Sequence, residues 1–155
     1  MRKRLYQFLI NLLEGVIDQH GSRIIKHIDL WNMNVEYAEI DGIFATPAVF
    51  IEFHEVKYES FNGPAGTLQK GDINFSLHIV TQSIATSDAG SSTQQIALEF
   101  FDIIDAIHAH LNQKSNPGIG SLRRILSQTN HNHSQLLESI ETYTTMLKDL
   151  SARIN

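Results

Sequence analysis

QLLESIETYTTMLK, Gln135 to Lys148, supports two readings that lead to different folds. Leu136, Ile140, Tyr143 and Leu147, continued by Leu150 and Ile154, recur at steps of three and four, the spacing of one helix face. Within it, ETYTTML concentrates β-branched and aromatic residues, whose side chains suit a pleated, half-buried surface. A strand here closes a sheet, whereas a helix adds a third helical segment. Periodicity alone leaves both open.

Upstream, the two-residue period is clearer. In PAVFIEFHEV, Pro47 to Val56, Val49, Ile51 and Phe53 alternate with Phe50, Glu52, His54 and, further on, Tyr58. Pro47 suits a strand start because it has no N–H to give to the ladder. Ile73, Phe75, Leu77 and Ile79 alternate in the same way with Asn74, Ser76, His78 and Gln82. If the two strands pair, one side is an apolar floor and the other a polar field containing Glu52, His54, His78 and Gln82. Between them ESFNGPAGTLQKG, Glu59 to Gly71, has three glycines and a proline and predicts a mobile loop too long for a tight hairpin. Arg23 to Trp31 and Leu122 to Gln128 are shorter strand candidates, and Asn32 to Thr46 carries few periodic signals.

The amino-terminal MRKRLYQFLINLLEGVIDQHG places basic residues before an apolar run, as a secretion signal does. Gln7, Asn11 and Glu14 interrupt that run, however, and no small-x-small cleavage pattern follows. Leu5, Leu9, Leu12, Leu13, Val16 and Ile17 predict instead an amphipathic, core-facing helix over Lys3 to Asp18. Neither it nor any other segment is long and apolar enough to span a bilayer. ATSDAGSSTQQ, Ala85 to Gln95, reads as a flexible loop in which Ser92 and Gln95 have capping-box spacing. The helix that follows places Ile96, Phe100, Ile103, Ile104, Ile107 and Leu111 on one face and Glu99, Asp102 and Asp105 on the other. Asn116, Pro117 and Gly118 end the unit.

A chain of 155 residues, 42% of them apolar, predicts one domain over residues 1–155. Twelve Lys and Arg against seventeen Asp and Glu, a formal charge of −5, argue against gripping a nucleic-acid backbone. The absence of cysteine excludes disulfides, thiolate metal sites and thiol nucleophiles. GxSxG, HExxH and phosphate-cradling glycine loops are all missing. Eight histidines leave one metal alternative. Glu52, His54 and His78 would share a sheet face, and two imidazoles with a carboxylate can hold zinc and an activated water for hydrolysis, given the right register. A polar sheet face explains the same residues more simply. His108 and His110 suit a helix C-terminus as imidazolium, NHNH at Asn130 to His133 suits a turn, and Trp31 suits a core or interface anchor.

The order helix, strands, helix, closing strands, with PAVFIEF, INFSLHIVTQ, LRRILSQTNHNHSQ and ETYTTMLKD, resembles the tail-completion and tail-terminator proteins of tailed bacteriophages. That resemblance implies an α+β fold, a mixed or antiparallel sheet of four to five strands with two main helices packed on one face. It also makes Gln135 to Lys148 a strand closing the sheet. It implies a non-enzymatic protein, without cofactor or membrane contact, that forms a homo-oligomeric, hexameric ring on the head-proximal end of the tail tube. The tail tube and neck proteins are the implied partners, and the host cytoplasm during assembly and then the virion tail the implied locations. On that reading Glu52, His54, His78, Gln82, Glu99, Asp102 and Asp105 are interface residues, and Asn62, Gly63, Pro64, Leu68 and Gln69 make loop contacts with neighbours. A small ligand-binding or adaptor domain is the remaining alternative, and it requires an apolar pocket between the first helix and the sheet.

Overall fold

Leu136–Asp149 is a strand and lies inside the sheet, which resolves the ambiguity of the opening stretch. The computed structural model describes residues 1–36, 44–63, 66–83, 88–91, 93–132 and 136–149. The strands are β1 (His27–Leu30), β2 (Ala48–Gly63), β3 (Gly66–Gln82), β4 (Arg123–Asn130) and β5 (Leu136–Asp149), in the order β1-β2-β3-β5-β4. Only β1 and β2 run parallel, so the sheet is mixed and the fold is α+β. The apparent helical seam of β5 is a consequence of burial on both sides. Tyr143 and Leu147 join the main core, while Leu136 belongs to a second cluster on the opposite face.

Helices α1 (Arg2–Glu14) and α2 (Gln94–Leu111) both pack into the main cluster on one face of the sheet. Leu5, Leu9 and Leu13 from α1 and Phe100, Ile104, Ile107 and Leu111 from α2 meet Val49, Ile51, Phe75, Leu77 and Tyr143 there. Helix α1 stops earlier than its periodicity suggests. Asp18 Oδ1 accepts hydrogen bonds from the N–H groups of His20 and Ser22, both at 2.8 Å, a local alternative to helical bonding that leaves Ile17 exposed. The capping box expected for α2 is not what starts it. The helix begins behind Thr93 without a side-chain cap bond, Gln94 Oε1 accepts from Gly90 N–H, and Ser92 and residues 84–87 lie outside the described residues. Ile96, expected in the core, is exposed, and so are Leu98 and Phe101 beside the acidic stripe.

The predicted loop Glu59 to Gly71 is instead the distal arm of a long hairpin. Strands β2 and β3 stay paired from Ala48↔Val80 to Gly63↔Gly66, with Ser60 opposite Gln69 and Phe61 opposite Leu68. Asn62, Gly63, Leu68 and Gln69 are therefore strand residues, while Pro64 lies outside the described residues. Gly71 is no breaker either, because it answers a close approach. A Cβ at that position would stand 2.6 Å from the Lys57 carbonyl oxygen and 2.9 Å from the Tyr58 ring. A bulge between Phe53 and Val56 resets the alternation. Val56 thereby packs against the main core, and Tyr58 shares its side rather than that of His54.

Nor is the second face a uniform polar field. Val35, Ala48, Phe50, Val80 and Leu136 form a smaller apolar cluster there with Trp31 and Phe44, so the chain after β1 folds across one end of this face. Residues 37–43 of that connection lie outside the described residues. No helix among the described residues is long and apolar enough to cross a membrane.

Gly71→Ala is expected to lower stability by about 1–3 kcal/mol, because the backbone oxygen it meets belongs to a paired strand. Urea unfolding checks this, with the exposed Ser60→Ala in the same arm within about 0.5 kcal/mol of the parent.

Candidate functional site

The register of β2, β3 and β5 brings Glu52, His54 and His78 together on the second face. Glu52 pairs with Ser76, and Phe50 with His78, so Glu52 is a diagonal neighbour of His78, and His54 of Ser76. His78 is buried between two carboxylates. Its Nδ1 lies 2.6 Å from Glu138 Oε1 and its Nε2 lies 3.1 Å from Glu52 Oε2. The Trp31 ring stacks on the imidazole at a centroid distance of 3.8 Å and an interplanar angle of 6°. Glu138 is 0% exposed, and its other oxygen accepts from Asn130 Nδ2 at 2.6 Å. Both ring nitrogens and both oxygens of Glu138 thus have partners, as the burial of polar groups requires.

This arrangement engages the groups that chemistry would need. Both His78 nitrogens face carboxylates, which leaves no ring lone pair aimed at a metal ion. Among the described residues no group of three or more His, Asp or Glu could hold one. His54 Nε2 lies 2.8 Å from Ser76 Oγ, a pairing that superficially suggests a nucleophile and its base. Glu52 approaches the same nitrogen, at 3.9 Å, whereas a catalytic triad places its carboxylate on the opposite ring nitrogen. Ser76 is itself buried, and its Oγ also lies 2.9 Å from Thr142 Oγ1. The cluster reads as a hydrogen-bonded ladder across three strands.

A second polar cluster occupies the helix-covered face near β4. Glu141, also buried, accepts from Arg124 Nη1 at 2.9 Å and from the hydroxyls of Ser127 and Ser139, both at 2.7 Å. Next to it His108 Nδ1 lies 3.2 Å from the Tyr143 hydroxyl. Burial, helped by the nearby Arg124, holds the His108 pKa below 6.5, and burial pushes the Tyr143 phenol far above its usual range. His108 is thus held towards the neutral form and is not the imidazolium expected at a helix end. His110 packs its ring against Gly15.

The other expected site residues lie apart. Gln82, at the end of β3, shares a pocket of about 230 Å³ with Glu99, Ile96 and Leu137. Asp102 and Asp105 are exposed on the outer side of α2. A shallow groove of about 660 Å³ runs along the hairpin arm between Glu55, Lys57, Lys70 and Asp72. Between α1 and the sheet, where a ligand-binding domain would need its apolar pocket, Leu5, Leu9 and Leu13 are fully buried in the main core. Glu138 and Glu141 had no signal in the sequence, because nothing local distinguishes a buried glutamate from a solvated one.

No protein-family model matches the sequence, and no curated protein matches it. Among solved structures the chain is similar to a chain from the virion of a native gene transfer agent particle. The identity is 9% and the TM-score 0.49, over 94% of this chain and 95% of that one. At that level the likeness carries no argument about function.

His78→Ala strands the Glu138 carboxylate in the interior and is expected to cost about 3–5 kcal/mol, whereas His54→Ala, at a half-exposed position, costs about 1 kcal/mol. Urea midpoints for the two variants check the order. His108 gives a pH dependence of known sign. Because its folded pKa is depressed, its stabilising contribution is complete above about pH 6.5 and is lost as the pH falls towards the lower folded value. His108→Gln is therefore expected to flatten the decline in urea midpoint as the pH is lowered from neutral into the acid range, relative to the parent.

Proposed function

We propose that this protein is a non-enzymatic structural component of a phage or prophage particle, a tail-terminator, tail-completion or neck protein that assembles as a ring at the head-proximal end of the tail tube. One observation carries the reading. The polar side chains that resemble a reaction centre are consumed in internal hydrogen bonds, while large apolar side chains stand exposed on the outer elements. Ile125 and Leu126 on β4, and Leu98 and Phe101 on α2, are the exposed pairs. Exposed apolar clusters rimmed by charge suit contact with other proteins. The sequence resemblance to tail-terminator and tail-completion proteins supplies the kind of assembly. Net negative charge fits a ring that meets protein rather than DNA.

Within this reading α2 offers Leu98 and Phe101 between Glu99, Asp102 and Asp105 as a contact surface for another virion protein, the tail tube or the neck. Glu52, His54 and His78 contribute a rigid second face rather than a reactive one. The protein works in the host cytoplasm during assembly and in the virion tail afterwards.

Light scattering after gel filtration, over a concentration series, tests the proposal. Growth from monomer towards one closed oligomer is expected. A protein that stays monomeric at every concentration, alone and with tail-tube protein, contradicts it.

A further inference from the structure

Two stretches of bare sheet edge lie on opposite sides of the molecule. On one side β4 is the outermost strand. On the other, β1 covers β2 only from Ala48 to Ile51, and the last bond of that ladder is Trp31 N–H to the Ile51 carbonyl. Strand β2 continues to Gly63, and among the described residues no strand pairs with its outer side there. One carbonyl of that stretch, His54 O, accepts from Arg2 Nη2 at 3.3 Å. The far end of β5, by contrast, is covered by the chain itself, through Gly120 N–H to Met146 O and Lys148 N–H to Gly118 O. Open edges of this kind are templates for another strand.

We infer that neighbouring copies of this chain join by continuing the sheet, β4 of one copy pairing antiparallel with the distal arm of β2 in the next. The inference rests on the ring reading and names the surfaces that build it. Strand directions agree. Along β2-β3-β5-β4 every neighbour is antiparallel, so β4 of one copy meets β2 of an identically oriented copy antiparallel as well.

The lengths agree too. Leu126 in the middle of β4 is level, through Thr142, with Ser76 on β3, while Lys57 in the β2 arm, on the same face as Leu126, is level with Asp72. Setting Leu126 against the neighbour's Lys57 keeps both on one face and needs a stagger of four residues along the strands, about 14 Å. Four strand spacings, about 19 Å, separate equivalent strands of the two copies. Together these require the strands to tilt by about 35° from the ring axis, at the lower end of the roughly 35–45° at which closed sheets settle. In that register β4 covers the neighbour's β2 from Phe53 to Ser60, immediately past the stretch covered by β1.

Side chains favour the same pairing. Leu126 and Ile125 are 51% and 53% exposed, and Tyr58 is 39% exposed. Strand β4 carries the exposed Arg123 and no acid, Arg124 being paired with Glu141 of its own chain, whereas the arm carries Glu55 and Glu59 with Lys57 between them. Different patches on opposite sides are what a head-to-tail ring requires.

The cysteine-free chain makes the test clean. Gln128→Cys and Glu55→Cys place thiols on the two proposed partners, and a short bismaleimide linker tolerates a slip of two residues. The double variant is expected to give a ladder of cross-linked species ending at the ring size, while either single variant gives none. Oligomers by light scattering without a ladder would overturn the edge pairing and leave the ring reading standing. Cross-linked dimers from a single variant would show a symmetric contact and overturn it as well. A strict monomer would remove both.

Discussion

The contact between His78 on β3 and Glu138 on β5 joins two of the three inner strands at a distance of 2.6 Å, away from water. A one-residue slip would send one partner to the helix-covered face and break a buried polar contact, so the pair acts with apolar burial to select the β3–β5 register. Its influence spreads from there. Glu52 carries the contact to β2, Asn130 carries it to β4, and Trp31 lies flat on the imidazole. Four strands and the connection after β1 are thus gathered around one ring. The apolar core on the other face supplies the driving force, and the polar ladder supplies the alignment.

This division explains how residues that look most like chemistry come to hold the sheet together. A histidine flanked by carboxylates satisfies the composition of a metal or acid-base centre, but both nitrogens of the buried His78 are taken up by carboxylates. What remains accessible is of another kind, with exposed apolar side chains on β4 and α2 and bare backbone at two sheet edges. A protein that spends its polar groups on internal order and its surface on contact has the physical make-up of an assembly component, which is the function proposed for it.

Much of the fold was legible because periodicity reports burial directly. The alternation in β3 and the apolar stripes of α1 and α2 predicted the strand and the two core-facing helices, while their packing on one face of the sheet was implied by the family resemblance, and so it is. The failures have local causes. Gly63, Gly66 and Gly71 read as loop breakers, yet Gly71 is demanded by the Lys57 carbonyl across the hairpin, a contact visible only once the strands are paired. The bulge after Phe53 moved Tyr58 to the other side, and Asp18 cut α1 short through its own side chain. Phe44 over Phe50 was hidden in a stretch with no period, whereas Trp31 was legible as an anchor without its place over Phe50. Within the candidate site Glu52, His54 and His78 were legible as a shared face, whereas Glu138, the partner that decides their role, was not. Its meaning depends on a strand 60 residues away.

A double-mutant cycle on His78 and Glu138, with each changed to leucine singly and together and followed by urea unfolding, probes this tie most directly. Each single change should be strongly destabilising because it deprives a buried polar group of one of its partners, while the double change should recover much of the loss, giving a coupling energy of about 2 kcal/mol or more. Additive effects, with a coupling near zero, would mean that the pair does not align the strands and that its residues are held together for some other purpose.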